Sequence, residues 1–259
     1  MLHHPNSLKA LDSTRTHKLL ELLRSIGLQE LHSSKLLSLV DEALIHISAG
    51  QSKNFERLEF LGDAVLRLAA TEFIDQHYHA LPLGRCSSLR AQLVSDRWLA
   101  QLGEQLQLDS FLVLGPKALG DAAARATLHA DATVALIGAI YSGSDNNLGP
   151  IHQWLTPHWQ QTTADVLATP HLFNGKSILQ EWSQAEGIGL PNYITTEQSS
   201  CHGDPQRFKS HVQVGSRLSA DGFGRSRKEA EQNAAAEAVQ RLQNIDSEIN
   251  PDFSNNAPH

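Results

Sequence analysis

Cysteine is almost missing from this 259-residue sequence, which has only two. Cys86 and Cys201 stand far apart and neither has a CxxC partner. That excludes a disulfide scaffold and argues against a structural zinc or iron–sulfur site. A reducing compartment is the natural reading. No apolar run approaches the ~20 residues of a membrane span, so no membrane partner is expected. The first twenty residues, MLHHPNSLKALDSTRTHKLL, contain no secretory hydrophobic segment, and a cytoplasmic location is the expectation. An excess of positive charge is also lacking: 21 Lys+Arg stand against 28 Asp+Glu, a net charge of -7. Taken alone, that speaks against a nucleic-acid partner, but a whole-chain sum does not say where the charges sit. The fourteen histidines are scattered, with no HExxH or Cys/His cluster, and read as surface or structural residues.

What is present is a globular mixture, 41% hydrophobic and 19% charged, able to bury a core. Apolar residues recur at helical spacing over 17–28, 34–46, 56–79, 87–106, 127–141 and 151–167. Period-two alternation is almost absent there, so residues 1–168 read as an all-α domain. Thr169-Pro-His171 and Asn174-Gly175 mark a short linker, placed at 169–173. Residues 174–243 then read as a small α+β domain in the order α-β-β-β-α. Its helices fall at 178–186 and 229–242, and its strands at 193–198, 207–214 and 217–221, with turns at Gly203 and Gly215. Residues 244–259 are polar and are expected to form a disordered tail.

The segment Glu56-Arg-Leu-Glu-Phe-Leu-Gly-Asp63 is the most informative. On a helix, Glu56, Glu59 and Asp63 share one face, opposite Leu58, Leu61, Val65, Leu66 and Ala69. A solvated acidic face is the bland explanation. Two details weaken it. Gly62 sits mid-helix, where glycine costs ~1 kcal/mol relative to alanine, and Phe60 lies off the apolar stripe and needs a partner of its own. Asp131 is a single acid in an otherwise apolar helical stretch that ends at Gly138. Burying it is costly unless it is paired or metal-bound. If Gly62 and Gly138 let two helices cross closely, Glu59, Asp63 and Asp131 would converge on a hard divalent cation. Oxygen ligands suit Mg²⁺, and such an ion can activate water and neutralise a phosphodiester.

These residues carry a resemblance. Glu56-Arg-Leu-Glu-Phe-Leu-Gly-Asp63-Ala-Val-Leu66 resembles the signature of the ribonuclease III family. Ser88-Leu-Arg-Ala-Gln-Leu-Val-Ser95, Leu114-Gly-Pro and Ala130-Asp-Ala with Ala-Leu-Ile-Gly-Ala-Ile-Tyr141 follow in the family's order. The resemblance covers roughly 17–243. It implies an all-α endonuclease domain that forms a homodimer, with Phe60 fitting a socket on the partner subunit. It also implies Mg²⁺-dependent cleavage of double-stranded RNA, with Mn²⁺ as a substitute and no small-molecule cofactor. The resemblance further implies products with 5′-phosphate and 3′-hydroxyl ends, and rRNA precursors and structured transcripts as substrates. Glu59 and Asp131 match metal ligands, and Asp63 matches the catalytic acid beside them. One departure is plain: the family's second glutamate, three residues after Asp131, is Val134 here. The alternative is therefore a catalytically weakened or inactive double-stranded-RNA-binding dimer.

Charge in the second domain is local. Residues 174–243 hold eight Lys/Arg and eight Asp/Glu, but Arg225, Arg227 and Lys228 gather just before the Ala-rich helix. Cations oppose the dipole at a helix N-terminus. The choice is between a solvated cap on Ser226 and an anion site. This segment resembles a double-stranded-RNA-binding domain. The resemblance sets Ser226, Arg227 and Lys228 against major-groove phosphates and Ser177, Gln180 and Glu181 in the minor groove. Where the family's first loop carries a histidine, this chain has Asp204, with His202 two residues away.

Overall fold

A computed structural model of the protein describes residues 11–116, 122–201 and 204–249. The chain divides into two units, Met1–Thr163 and Ala164–His259. The first contains helices α1 (Ser13–Ser25), α2 (Ser34–Ala43), α3 (Glu56–His77), α4 (Leu83–Leu93), α5 (Asp96–Gln105) and α6 (Ala122–Gly143), and most of α7 (Gly149–Ala168). The division falls inside α7, ahead of the expected 168/169 boundary.

Short polar side chains start several of these helices. Asp12 accepts the Arg15 amide at 2.8 Å, Ser33 the Leu36 amide at 3.2 Å and Ser95 the Trp98 amide at 3.3 Å. Each satisfies a backbone donor that the first helical turn leaves unpaired. The Ser95 cap corrects one expectation: the single helix over 87–106 is two. Val94 leaves helical geometry (φ -118°, ψ 16°) and Ser95 opens α5.

α6 is apolar on nearly every side. Ala132, Ala135, Leu136, Ile137, Ala139 and Ile140 are all buried, as befits the central helix of a bundle. α2, α3 and α5 pack around it. The Trp159 ring lies 5.4 Å from Phe73 and 6.3 Å from Trp98, centroid to centroid, closing an aromatic cluster in the core.

The second unit holds α8 (Pro170–Ala185), strands β1 (Asn192–Glu197), β2 (Phe208–Val214) and β3 (Leu218–Gly224), and α9 (Arg227–Ile249). The strands form one antiparallel sheet in the order β1-β2-β3, with Tyr193 opposite Val212 and Val212 opposite Ala220. Val212, Val214, Leu218 and Ala220 face Leu179 of α8 and Ala234, Ala235, Ala238 and Val239 of α9. Gly224 brings α9 onto the strand backbone, since a Cβ there would sit 2.6 Å from the Ala230 amide nitrogen. The expected order, all-α and then α-β-β-β-α, is the observed one.

Boundaries differ in two places. The expected linker 169–173 is mostly helix, because Pro170 starts α8, and the break comes at Asn174 instead (φ -128°, ψ 21°). The expected tail loses its first residues to α9, which runs to Ile249. Residues 250–259 lie outside the described residues, as do His202 and Gly203.

Candidate functional site

The glycine crossing exists. A Cβ on Gly62 would overlap the carbonyl oxygen of Val134 and lie 3.1 Å from the Gly138 amide nitrogen, and a Cβ on Gly138 would overlap the carbonyl oxygen of Leu58. α3 and α6 therefore touch backbone to backbone, and no larger residue at either glycine would allow it. Glu59 on α3 and Asp131 on α6 flank this contact, both part-buried.

Their electrostatics are linked. The Glu59 carboxyl is pushed above its ordinary range, first by burial, then by the charge of Asp131, with Glu56 and Asp63 adding to it. Asp131 is pushed up by burial and then by Asp96, and is partly relieved by His46. Asp63 stands apart from the pair: it is exposed, and both its oxygens accept from Arg67 Nε, at 3.1 and 3.0 Å. Glu59 thus feels the charges of Asp131, Glu56 and Asp63, while Asp63 is also paired with Arg67 one turn along α3. No convergent trio of His, Cys, Asp or Glu ligands is found among the described residues. Two partly desolvated carboxylates are the donor chemistry that suits a hard divalent ion keeping most of its waters.

Val134 is 8% exposed and carries no ligand atom. Phe60, one residue beyond Glu59, is 85% exposed, an unusual state for a phenylalanine on an ordered helix.

In the second unit, Ser177, Gln180 and Glu181 lie on one exposed face of α8, away from buried Leu179 and Ser183. The basic cluster is less uniform than its sequence suggests. Ser226 does cap α9: its hydroxyl accepts the Glu229 amide at 3.2 Å, and Glu229 in return accepts the Arg225 amide at 2.9 Å. Arg227 is folded down. It donates to the Thr195 carbonyl at 3.2 Å and lies 5.5 Å over the Phe208 ring. The Arg225 and Lys228 side chains have no partner among the described residues and remain exposed. Asp204 accepts from the Gln206 amide at 2.9 Å and from the Ser199 hydroxyl, so its charge, held below the ordinary range, braces its own loop. Tyr193 is pushed up to about 12 by burial and by Glu231, which also pairs with Lys176 at 2.7 Å. That network joins α8, β1 and α9 and passes unnoticed in the sequence, because its members are far apart along the chain.

A helical unit with a carboxylate pair at a backbone crossing, followed by an α-β-β-β-α unit with a basic helix start, defines a two-module chain of the nuclease and duplex-RNA-binding kind. Two family models match it accordingly: Ribonuclease-III-like over residues 37–152 and Double-stranded RNA binding motif over 176–242. Among curated relatives, Ribonuclease 3 of Prochlorococcus marinus is 48% identical over 208 residues, 80% of this chain and 83% of that protein. Ribonuclease 3 2 of Synechocystis is 40% identical over 226 residues, 87% of this chain and 92% of that one. Among solved structures, the nuclease domain of ribonuclease III from Campylobacter jejuni aligns with 58% of this chain and 94% of its own, at 26% identity and a TM-score of 0.45. The chain belongs to the ribonuclease III family and carries a ribonuclease III-type endonuclease unit. No helix of the described residues is long and apolar enough to cross a membrane.

Proposed function

We propose that the protein is a Mg²⁺-dependent endoribonuclease that cuts double-stranded RNA into products with 5′-phosphate and 3′-hydroxyl ends. The observation that carries this reading is the Glu59–Asp131 pair, set at a glycine crossing and partly desolvated. Glu59 and Asp131 would hold the ion, with Mn²⁺ able to replace it. When bound there, the ion supplies positive charge for the phosphodiester and makes water a better nucleophile at neutral pH. Asp63, one turn from Glu59, orients the attacking water through its carboxylate once Arg67 has swung away. Phe60 anchors a homodimer by entering the partner subunit, which puts one carboxylate site over each strand of a duplex. Ser177, Gln180 and Glu181 address the minor groove. Arg225, Lys228 and the capped start of α9 address phosphates, which suits recognition of A-form shape rather than sequence. By family, the substrates are rRNA precursors and structured transcripts in the cytoplasm.

Val134 favours a second reading. A buried valine stands where a fourth carboxylate would help, so the protein would bind duplex RNA and cut it slowly or not at all. One experiment separates the two: cleavage of long duplex RNA with Mg²⁺ or Mn²⁺ by the native chain, Val134→Glu and Asp131→Asn. The nuclease reading expects cutting by the first two and none by the third, with RNA binding kept by all. Cutting by Val134→Glu alone would select the second reading. Cutting by Asp131→Asn at the native rate would refute the site.

A further inference from the structure

His46 lies in the loop between α2 and α3, and its attachments tie it to the carboxylate pair. Its amide donates to the Val113 carbonyl at 3.0 Å. Its ring meets the Phe55 ring edge-on, with centroids 5.3 Å apart. Phe55 is buried at the start of α3, and its carbonyl accepts the Glu59 amide at 2.8 Å. The imidazole is therefore fastened to the turn of helix that carries Glu59. It also lies close enough to Asp131 to favour the charge of that carboxylate.

The two ring nitrogens have different surroundings. Nδ1 accepts the Ser48 amide at 3.1 Å. Ser48 Oγ lies 2.7 Å from the same nitrogen and itself accepts the Gly115 amide at 2.9 Å, which leaves its own proton for Nδ1. A nitrogen that receives an amide donor must carry a lone pair, so the ring proton sits on Nε2. Gly115 seals the arrangement, because a Cβ there would come within 2.7 Å of the Ser48 carbonyl carbon. Among the described residues Nε2 has no partner. One ring nitrogen is saturated and the other is left over, on a ring that packs against the residue whose carbonyl starts the Glu59 turn.

We propose that His46 is a substrate-contacting residue. Its tautomer is fixed by Ser48 and Gly115 so that Nε2–H donates to a non-bridging oxygen of the RNA phosphate addressed by Glu59 and Asp131. The inference rests on the nuclease reading above. The donor complements the carboxylates, which repel a phosphate that a bound cation draws in. A pre-aimed N–H donor stabilises the developing charge without reorganising during the reaction.

The test uses the full chain. In His46→Asn the side-chain amide reaches only as far as Nδ1, whereas in His46→Gln it reaches the place of Nε2. Single-turnover cleavage of a duplex RNA with Mg²⁺ should fall on the order of 100-fold in His46→Asn and His46→Ala, the cost of one lost oxyanion donor. His46→Gln should recover much of that loss. A second readout needs no turnover: in ¹⁵N-histidine-labelled wild type, the His46 signal, identified by its loss in His46→Gln, should show the Nε2–H tautomer. Short duplex RNA added with Ca²⁺ in place of Mg²⁺ should shift the Nε2 resonance.

Native-rate cleavage by His46→Asn, or an Nε2 resonance unmoved by RNA, would overturn the proposal. If the wild type itself fails to cleave, the nuclease reading has failed. The NMR experiment then decides the His46 contact separately: a shift keeps it as an RNA contact, and no shift dismisses it.

Discussion

Replacing Gly62 with alanine tests the crossing on which the site depends. The new Cβ would lie 2.8 Å from the carbonyl carbon of Val134 and 3.1 Å from the Gly138 amide nitrogen, besides overlapping the Val134 oxygen. Unstrained carbon contacts sit at roughly 3.5–4.0 Å, so the helices must separate by about 1 Å. Overpacking of this kind costs about 1–3 kcal/mol, and here the obstacle is backbone, which cannot rotate away. Against that, alanine gains ~1 kcal/mol of helix propensity over glycine. Because the obstacle is rigid, the cost belongs at the top of that range, and the net loss should be about 2 kcal/mol, or about 4–8 °C in Tm for a unit of this size. Gly84 provides the control. It lies in α4, and a methyl group added to it would meet nothing within 4 Å, so Gly84→Ala should be neutral or stabilising. The assay is thermal unfolding followed by tryptophan fluorescence, because Trp98, Trp154 and Trp159 report on the first unit and Trp182 on the second. Mg²⁺ should raise the wild-type transition and raise that of Gly62→Ala less, because the separated helices no longer hold Glu59 near Asp131. A Gly62→Ala protein as stable as Gly84→Ala, with the full response to Mg²⁺, would refute the claim that this contact sets the site.

Two further predictions concern the charges. Glu59 and Asp131 both hold their protons more tightly folded than unfolded. The folded state therefore binds more protons, and stability falls as pH rises from the ordinary carboxylate range through the raised values. In metal-free protein, Asp131→Asn should raise Tm at pH 8 by no more than about 3 °C, since solvent screens both groups. That gain should vanish below pH 4, and a gain unchanged from pH 8 to pH 4, measured by differential scanning calorimetry, would contradict the assignment. In the second unit, Arg227→Ala should destabilise by about 1–2 kcal/mol through loss of its carbonyl bond and its stack on Phe208. Lys228→Ala should leave Tm alone and lower the salt slope of duplex-RNA binding by about 1. The reverse pattern in paired melting and binding titrations would mean that the two side chains have been given each other's roles.

The crossing is legible in the sequence because a glycine inside a helix and a lone acid among apolar residues are both locally unfavourable, and such features need a distant cause. Gly62 and Gly138 each state half of one contact, and Asp131 stands beside it in the same apolar helix. The order of helices and strands is legible for a related reason, since burial imposes the apolar period. The Ser95 break is hidden because Leu89 and Leu93 before it and Leu99 and Leu102 after it carry one helical rhythm past the cap. The contacts of Arg227 are hidden because a cation looks the same in sequence whether or not it also stacks on Phe208. The place of His46 depends on Gly115, 69 positions away along the chain, and no local pattern connects them.

The bed of α9 has a thermal consequence. The helix meets Gly222 and Gly224 at Ala230 and Ala234, so much of this interface is backbone on backbone. Unfolding it exposes little apolar area relative to the peptide groups it uncovers. The first type of surface raises heat capacity and the second lowers it. The second unit should thus have a small heat-capacity change for its length and a flat stability curve. The leucine- and tryptophan-filled helical unit should have a steeper one. On cooling, the part that grips RNA would keep its stability better than the part that holds the carboxylates.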